Sequence, residues 1–239
     1  MSAHEVLVAN DREEHAALAA ELVARAIMDA DKDRGAARVA LSGGGTPSET
    51  YRKLSRLALP FDRLEWFWVD ERAVPPDNAR SNYGQAEKDL SLADGRHGHA
   101  HRMEGERDLA AASADYEALL RRSFGVASAV SFDAMVMGVG DDGHTASLFP
   151  GIGAVAIDDR LVAAIPEQPA KKLEARLTLT APVIVEARLI VILVRGAQKR
   201  DVVRAARAPG SEDEIPSRIF QRAKGRVVWV LDADAAPPA

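Results

Sequence analysis

Cysteine is absent from the 239-residue chain, which rules out disulfides, thiolate-bound zinc, iron–sulfur clusters and a thiol nucleophile, and suits a reducing compartment. No apolar run is long enough to cross a bilayer. Met1 to Asn10 also lacks the basic and apolar regions of a signal peptide, so a cytoplasmic protein with no membrane partner is expected. Positive charge is short too: acidic and basic residues are interspersed and sum to −5, leaving no basic face to follow a nucleic-acid backbone. Any anionic ligand must then be met by a few local cations. Two catalytic signatures are missing as well. There is no Gly-x-Ser-x-Gly elbow for a serine hydrolase, and no lysine follows the glycines at 43–45 as a Walker motif demands. His97, His99 and His101 alternate, but no carboxylate is spaced to complete a zinc site; no metal is assigned, and these side chains are expected on the surface.

What remains is an apolar chain, 47% hydrophobic, able to bury a large core as one domain over 1–239. From Glu13 to Ala30, apolar residues fall at 16, 19, 22, 23, 26 and 27, the spacing of a one-faced amphipathic helix. Short apolar runs recur at Val39 to Leu41, Leu64 to Val69, Phe132 to Val139, Leu161 to Ile165, Leu189 to Val194 and Val227 to Leu231, with helical segments between. That alternation predicts a three-layer α/β/α sandwich around a mostly parallel, Rossmann-like sheet. Arg176 to Leu179 reads as a further short strand, Ser91 to Glu106 as a long surface loop, and Ala233 to Ala239 as a frayed end.

Four constellations can carry chemistry. Ser42-Gly43-Gly44-Gly45-Thr46-Pro47-Ser48-Glu49 runs from a strand through three glycines into a helix. Thr46 suits the N-cap, Pro47 the first helical position, and Glu49 can close a capping box. Glycine amides before a helix make an anion cradle, and phosphate on a small molecule fits it better than a nucleotide. A plain strand-to-helix turn is the alternative. Next, Trp66-Phe67-Trp68-Val69-Asp70-Glu71-Arg72 ends an apolar strand in three charges: Arg72 can fork onto phosphate oxygens and Asp70 can orient a neighbour, unless the two merely pair across the turn. Ser81-Asn82 is expected to cap the following helix without a chemical role.

The third constellation is Gly138-Val139-Gly140-Asp141-Asp142-Gly143-His144-Thr145. An imidazole, ordinarily titrating near ~6.5, sits here in a glycine-rich loop with no apolar periodicity to bury it. Its opening resembles a dinucleotide fingerprint, which Gly143-His144 breaks, so no nicotinamide cofactor is expected. Fourth, Gly196-Ala197-Gln198-Lys199 follows an apolar strand and sets a lysine at a helix start, where it opposes the helix dipole unless an anion intervenes.

Jointly these segments, with Ser81-Asn82-Tyr83, His101-Arg102-Met103, Arg176-Leu177-Thr178-Leu179-Thr180 and the run Asp142 to Gly151, resemble the 6-phosphogluconolactonase family, in the family's order and over nearly the whole chain. Gly45, Asp141 and Arg195 stand where the family usually has other residues. Related families are less similar. Past the histidine, glucosamine-6-phosphate deaminases carry a glutamate where this chain has Ser147, Leu148 and Phe149. Arg72 also stands where they have tyrosine, and the sugar-phosphate sensor domains of repressors follow a helix-turn-helix that is not seen before residue 36.

The resemblance implies hydrolysis of a sugar-phosphate δ-lactone by a monomer without metal or organic cofactor. His144 would be general base, oriented by Asp70 or Asp142. Arg72 and Lys199 would neutralise the phosphate, with Ser42, Gly43, Gly44, Gly45, Thr46, Gly143 and Arg176 also lining the substrate site. Amides near Gly43, Gly44 and Gly143 are candidate oxyanion donors.

Overall fold

The computed structural model describes residues 4–125 and 130–237. In chain order the elements are β1 His4–Ala9, α1 Arg12–Arg34, β2 Ala37–Leu41, α2 Ser48–Leu54, β3 Leu64–Trp68, β4 Asp70–Arg72, α3 Asn82–Leu90, β5 His99–His101 and α4 Leu109–Phe124. They continue with β6 Ala134–Gly138, β7 Val162–Ile165, β8 Arg176–Leu179, α5 Ala181–Val185, β9 Leu189–Val194, α6 Arg200–Arg207 and β10 Arg226–Asp232. Seven strands form one parallel sheet in the order β1-β10-β9-β6-β2-β3-β5, flanked by helices. All six residues of β9 are buried, which requires cover on both faces of the sheet and explains an apolar run without alternation.

Helix α1 forms where the spacing predicts it and is closed by caps at both ends. Asp11 accepts the Glu14 N–H at 2.8 Å, and Gly35 ends the helix at φ 72°, its N–H bonded to the Asp31 carbonyl. Its buried face is mostly alanine, with Val23 and Ile27, so the helix packs closely against the sheet.

Three expectations need correction. The run at Leu161 to Ile165 does not join the parallel sheet; its strand β7 pairs with β8, the short strand expected at Arg176 to Leu179, and with β4 they make a separate antiparallel sheet, ordered β4-β8-β7. Segment 91–106 is not one long loop. It contains a 3₁₀ turn at Leu92–Asp94 and the edge strand β5, where His101 Nε2 lies 3.0 Å from Glu65 Oε2 and its ring stacks on Phe67. Three residues of His-Ala-His carry no apolar alternation, which hides the strand. The tail does not fray from residue 233: Ala235 is fully buried and its N–H is accepted by Asp232, while residues 238–239 lie outside the described residues. Strand β1 was not anticipated either; it pairs in parallel with β10 at the sheet edge and is mostly half-buried.

The chain leaves β2 towards β3 and β5 on one side, whereas β6, β9 and β10 lie on the other. Loops leaving the carboxyl ends of β2 and β6 therefore part, and the crevice between them is where open α/β sheets bind ligands.

Candidate functional site

A cavity of about 290 Å³ opens at that point. The loop after β2 forms one wall. At Gly43 a Cβ would lie 1.7 Å from Asn82 Oδ1, so only glycine lets the two segments approach, and Gly44 takes φ 96°. Among the described residues, no protein acceptor takes the amides of Gly43, Gly44, Gly45 or Thr46. Ser42 is anchored beneath them, its carbonyl accepting the buried Tyr51 hydroxyl at 2.7 Å. The expected capping box is absent. Helix α2 starts at Ser48, Pro47 occupies the cap position without a side-chain bond, and Glu49 turns instead to Arg12 at 2.6 Å. The helix has only seven residues, so what this wall offers an anion is the set of unbonded loop amides.

β4 brings the second wall. Asp70 and Arg72 do not pair across the turn. Asp70 Oδ2 accepts the Ser147 hydroxyl at 2.6 Å, Oδ1 accepts Asn82 Nδ2 at 3.0 Å, and Arg176 Nη1 stands 3.7 Å away. Arg72 donates to the Arg80 carbonyl at 2.5 Å, while its buried Nε has no partner among the described residues. Antiparallel register sets Arg72 opposite Arg176. Burial and the neighbouring Arg72 charge lower the Arg176 pKa, against the pull of Asp70. Glu71 is a structural carboxylate: buried under four donors from Arg72, Ser81, Asn82 and Tyr83, it fixes the start of α3, and burial still pushes its pKa up. Ser81 caps α3 as expected, accepting the Gly84 N–H at 3.0 Å, but Asn82 also lines the cavity with an unpartnered buried Oδ1.

The third wall is the loop after β6. His144 is 31% exposed, and its Nδ1 lies 2.6 Å from Asp142 Oδ1, the oxygen that also accepts the His144 backbone N–H at 3.1 Å. Burial pushes the Asp142 carboxyl up, but the His144 bond and charge outweigh it and hold the pKa at about 2. Asp70 makes no contact with His144, so of the two candidate orienting carboxylates it is Asp142 that touches the ring. A Cβ on Gly140 would fall 2.0 Å from His144 Nδ1. Gly143, at φ 86°, makes the turn before the imidazole; its N–H is taken by the Gly140 carbonyl at 3.1 Å and cannot serve a substrate oxyanion. Phe149 packs on the His144 ring at 4.4 Å and sits under the Arg176 guanidinium.

From the turn after β9, Lys199 enters the cavity wall, its Nζ bonded to the Val139 carbonyl at 2.8 Å and 2.7 Å from Asp141. Arg195 lines the cavity as well, a cation the motif pattern did not single out for binding. No group of three or more histidine, aspartate or glutamate side chains among the described residues is placed to hold a metal ion. The sequence thus located His144, Asp142, Arg72, Arg176, Lys199 and the glycine loop at one crevice. Asn82, Ser147 and Arg195 were passed over; only the long-range pairings reveal the first two.

Fold and site together define an α/β protein that presents unbonded glycine amides, several cations and an aspartate-held imidazole at the switch point of a parallel sheet. The chain matches the family described as glucosamine-6-phosphate isomerases/6-phosphogluconolactonase over residues 10–229, and it belongs to that family. It is 37% identical over 214 residues to a 6-phosphogluconolactonase of Synechocystis sp., covering 87% of each chain. Identity is 36% over 231 residues to that of Mycobacterium tuberculosis, covering 92% of each. The solved 6-phosphogluconolactonase of Trypanosoma cruzi superposes with a TM-score of 0.86 at 27% identity, over 98% of this chain and 97% of that one.

Proposed function

We propose that this chain hydrolyses 6-phospho-D-glucono-1,5-lactone to 6-phosphogluconate, the second step of the oxidative pentose phosphate pathway, with His144 as general base. The observation that carries the proposal is the Asp142–His144 contact of 2.6 Å at the cavity. With Nδ1–H donated to Asp142, the lone pair resides on Nε2, which has no protein partner among the described residues and can accept a proton from water. The named relatives support the choice of substrate.

In this mechanism water adds to C1 of the lactone as His144 Nε2 takes its proton. The carbonyl oxygen becomes an anion, met by free amides such as those of Gly43 and Gly44. Collapse breaks the bond from C1 to the ring oxygen, which receives the proton back from the imidazolium; the new carboxyl group then ionises and releases a proton to solvent. Such base catalysis is worth roughly 10² to 10⁴ in rate. Arg72 and Lys199 hold the phosphate, with Arg176, Ser42, Gly45 and Thr46 completing the wall around it. A phosphate of about −1.5 to −2 charge at neutral pH matches this excess of cations.

The test is proton release on addition of freshly prepared 6-phosphogluconolactone, compared with ammonia release from glucosamine 6-phosphate. Rapid acid production without ammonia is the expected result. Ammonia release would transfer the site to deamination, and tight binding with neither reaction would make the chain a sugar-phosphate sensor.

A further inference from the structure

Arg195 is the one crevice cation with no hydrogen bond among the described residues. Its place is fixed from behind: the next residue, Gly196, donates its N–H to both oxygens of Asp232 at 3.0 and 2.9 Å. Its sole partner among the described residues is Glu49 Oε2, at 3.6 Å from Nη1. That same oxygen is already bonded to Arg12 Nε at 2.6 Å. Two guanidinium groups therefore compete for one carboxylate oxygen, and the one facing the cavity holds the looser position. Glu49 itself lies just beyond the unbonded amides of the glycine loop.

We infer that Arg195 is a specificity-determining cation for the phosphate, parked against Glu49 when the site is empty and transferred to the phosphoryl oxygens when substrate binds. The inference rests on the phosphate reading above and deepens it. A planar guanidinium can meet two phosphoryl oxygens at once, a better geometry than its 3.6 Å contact with a shared carboxylate oxygen. Arg12, on the outer side of Glu49 and well exposed, sets the strength of the parking contact. Holding Glu49 outward leaves Arg195 free to leave it.

Calorimetric titration with inorganic phosphate and with 6-phosphogluconate tests the arrangement without relying on turnover. Arg195→Gln should weaken both ligands about tenfold, as expected for loss of one charge-assisted contact, with Arg195→Lys between it and the wild type. Glu49→Gln, which removes the competitor and a nearby negative charge, should tighten both by about threefold. Arg12→Gln lies outside the cavity, yet it should weaken binding by about threefold because Glu49 then closes fully on Arg195. That effect should vanish in the Arg195→Gln background, which a merely structural role for Arg12 would not produce. Unaltered phosphate affinity in Arg195→Gln, or an Arg12→Gln effect of equal size in both backgrounds, would overturn the inference alone. A wild-type chain binding neither ligand would overturn the phosphate reading and this inference with it.

Discussion

One oxygen of Asp142 accepts both the His144 backbone N–H and the ring Nδ1–H, so the loop and the tautomer are set together. Asp142→Asn keeps that arrangement. The backbone N–H can only donate, so it holds the carbonyl of the new amide in place, and the ring still donates to it. What is lost is charge. Unit charges ~4 Å apart interact by about 1 kcal/mol in water and about 4 kcal/mol at an effective dielectric of ~20. The Asp142 side chain is 52% exposed, which favours the lower part of that range. A loss of about 1–2 kcal/mol from the imidazolium-bearing transition state corresponds to roughly five- to thirtyfold in kcat. Asp142→Ala removes the acceptor as well, releasing the ring to rotate and to change tautomer, and should be slower again by about tenfold. Initial rates of acid release at saturating lactone measure both variants, and KM should stay near the wild-type value because neither change touches the phosphate contacts. An alanine variant as fast as the asparagine variant, or either at the wild-type kcat, would refute the orienting role.

The asparagine variant carries a second signature, in stability. A carboxylate depressed to about 2 in the folded chain contributes stability that is fully present above the ordinary carboxylate range and is lost as pH falls towards 2. Half-exposure reduces that contribution to about 1 kcal/mol. The gap in unfolding free energy between wild type and Asp142→Asn should therefore be present at pH 5, shrink towards pH 2 and close only below it.

His144→Ala should fold with a near-normal melting temperature, since the ring lies at the cavity surface, and lose roughly 10² to 10⁴ in kcat; retained turnover removes His144 from the mechanism. Arg72→Ala should weaken substrate binding by about 2–5 kcal/mol, read as a raised KM, because its side chain lines the cavity opposite Arg176; a normal KM refutes the assignment. Gly140→Ala puts a methyl 2.0 Å from His144 Nδ1, so the ring must move and kcat should fall while the secondary structure seen by circular dichroism persists. Full activity in that variant would show that the imidazole does not need its observed position.

Features written locally were legible in the sequence. Three glycines ending a strand, charges ending another and an imidazole among glycines each signal within a few residues, and Gly43, Gly44, Gly45, Asp70, Arg72 and His144 line a single cavity. Pairings between distant segments were not. Nothing beside Asp70 announces that Ser147 will take its Oδ2, nor that Arg176 will face Arg72 across an antiparallel register. The apolar run at 162–165 has the composition of a parallel-sheet strand, and only its partners decide otherwise. Thr46 had the residue type for a cap, but helix α2 begins only at Ser48, which leaves Pro47 at the cap position and Thr46 outside it.

The two carboxylates that the motif pattern offers for orienting the imidazole have different partners. Asp142 bonds the ring itself, whereas Asp70, almost wholly buried, bonds the Ser147 hydroxyl and the Asn82 amide. Between His144 and Ser147 the chain passes through Ala146 at φ 48°, a left-handed conformation that costs a non-glycine residue about 1–3 kcal/mol. Bonds on either side offset that cost: Gly140 N–H to the His144 carbonyl, Thr145 Oγ1 to the Gly138 carbonyl, Ser147 N–H to Thr178 Oγ1 and Ser147 Oγ to Asp70. Asp70 thus holds Ser147, the residue that follows the left-handed Ala146 in the turn after His144. The ring is positioned by the sheet and its loops before substrate arrives, which is the condition for a general base to act without reorganisation.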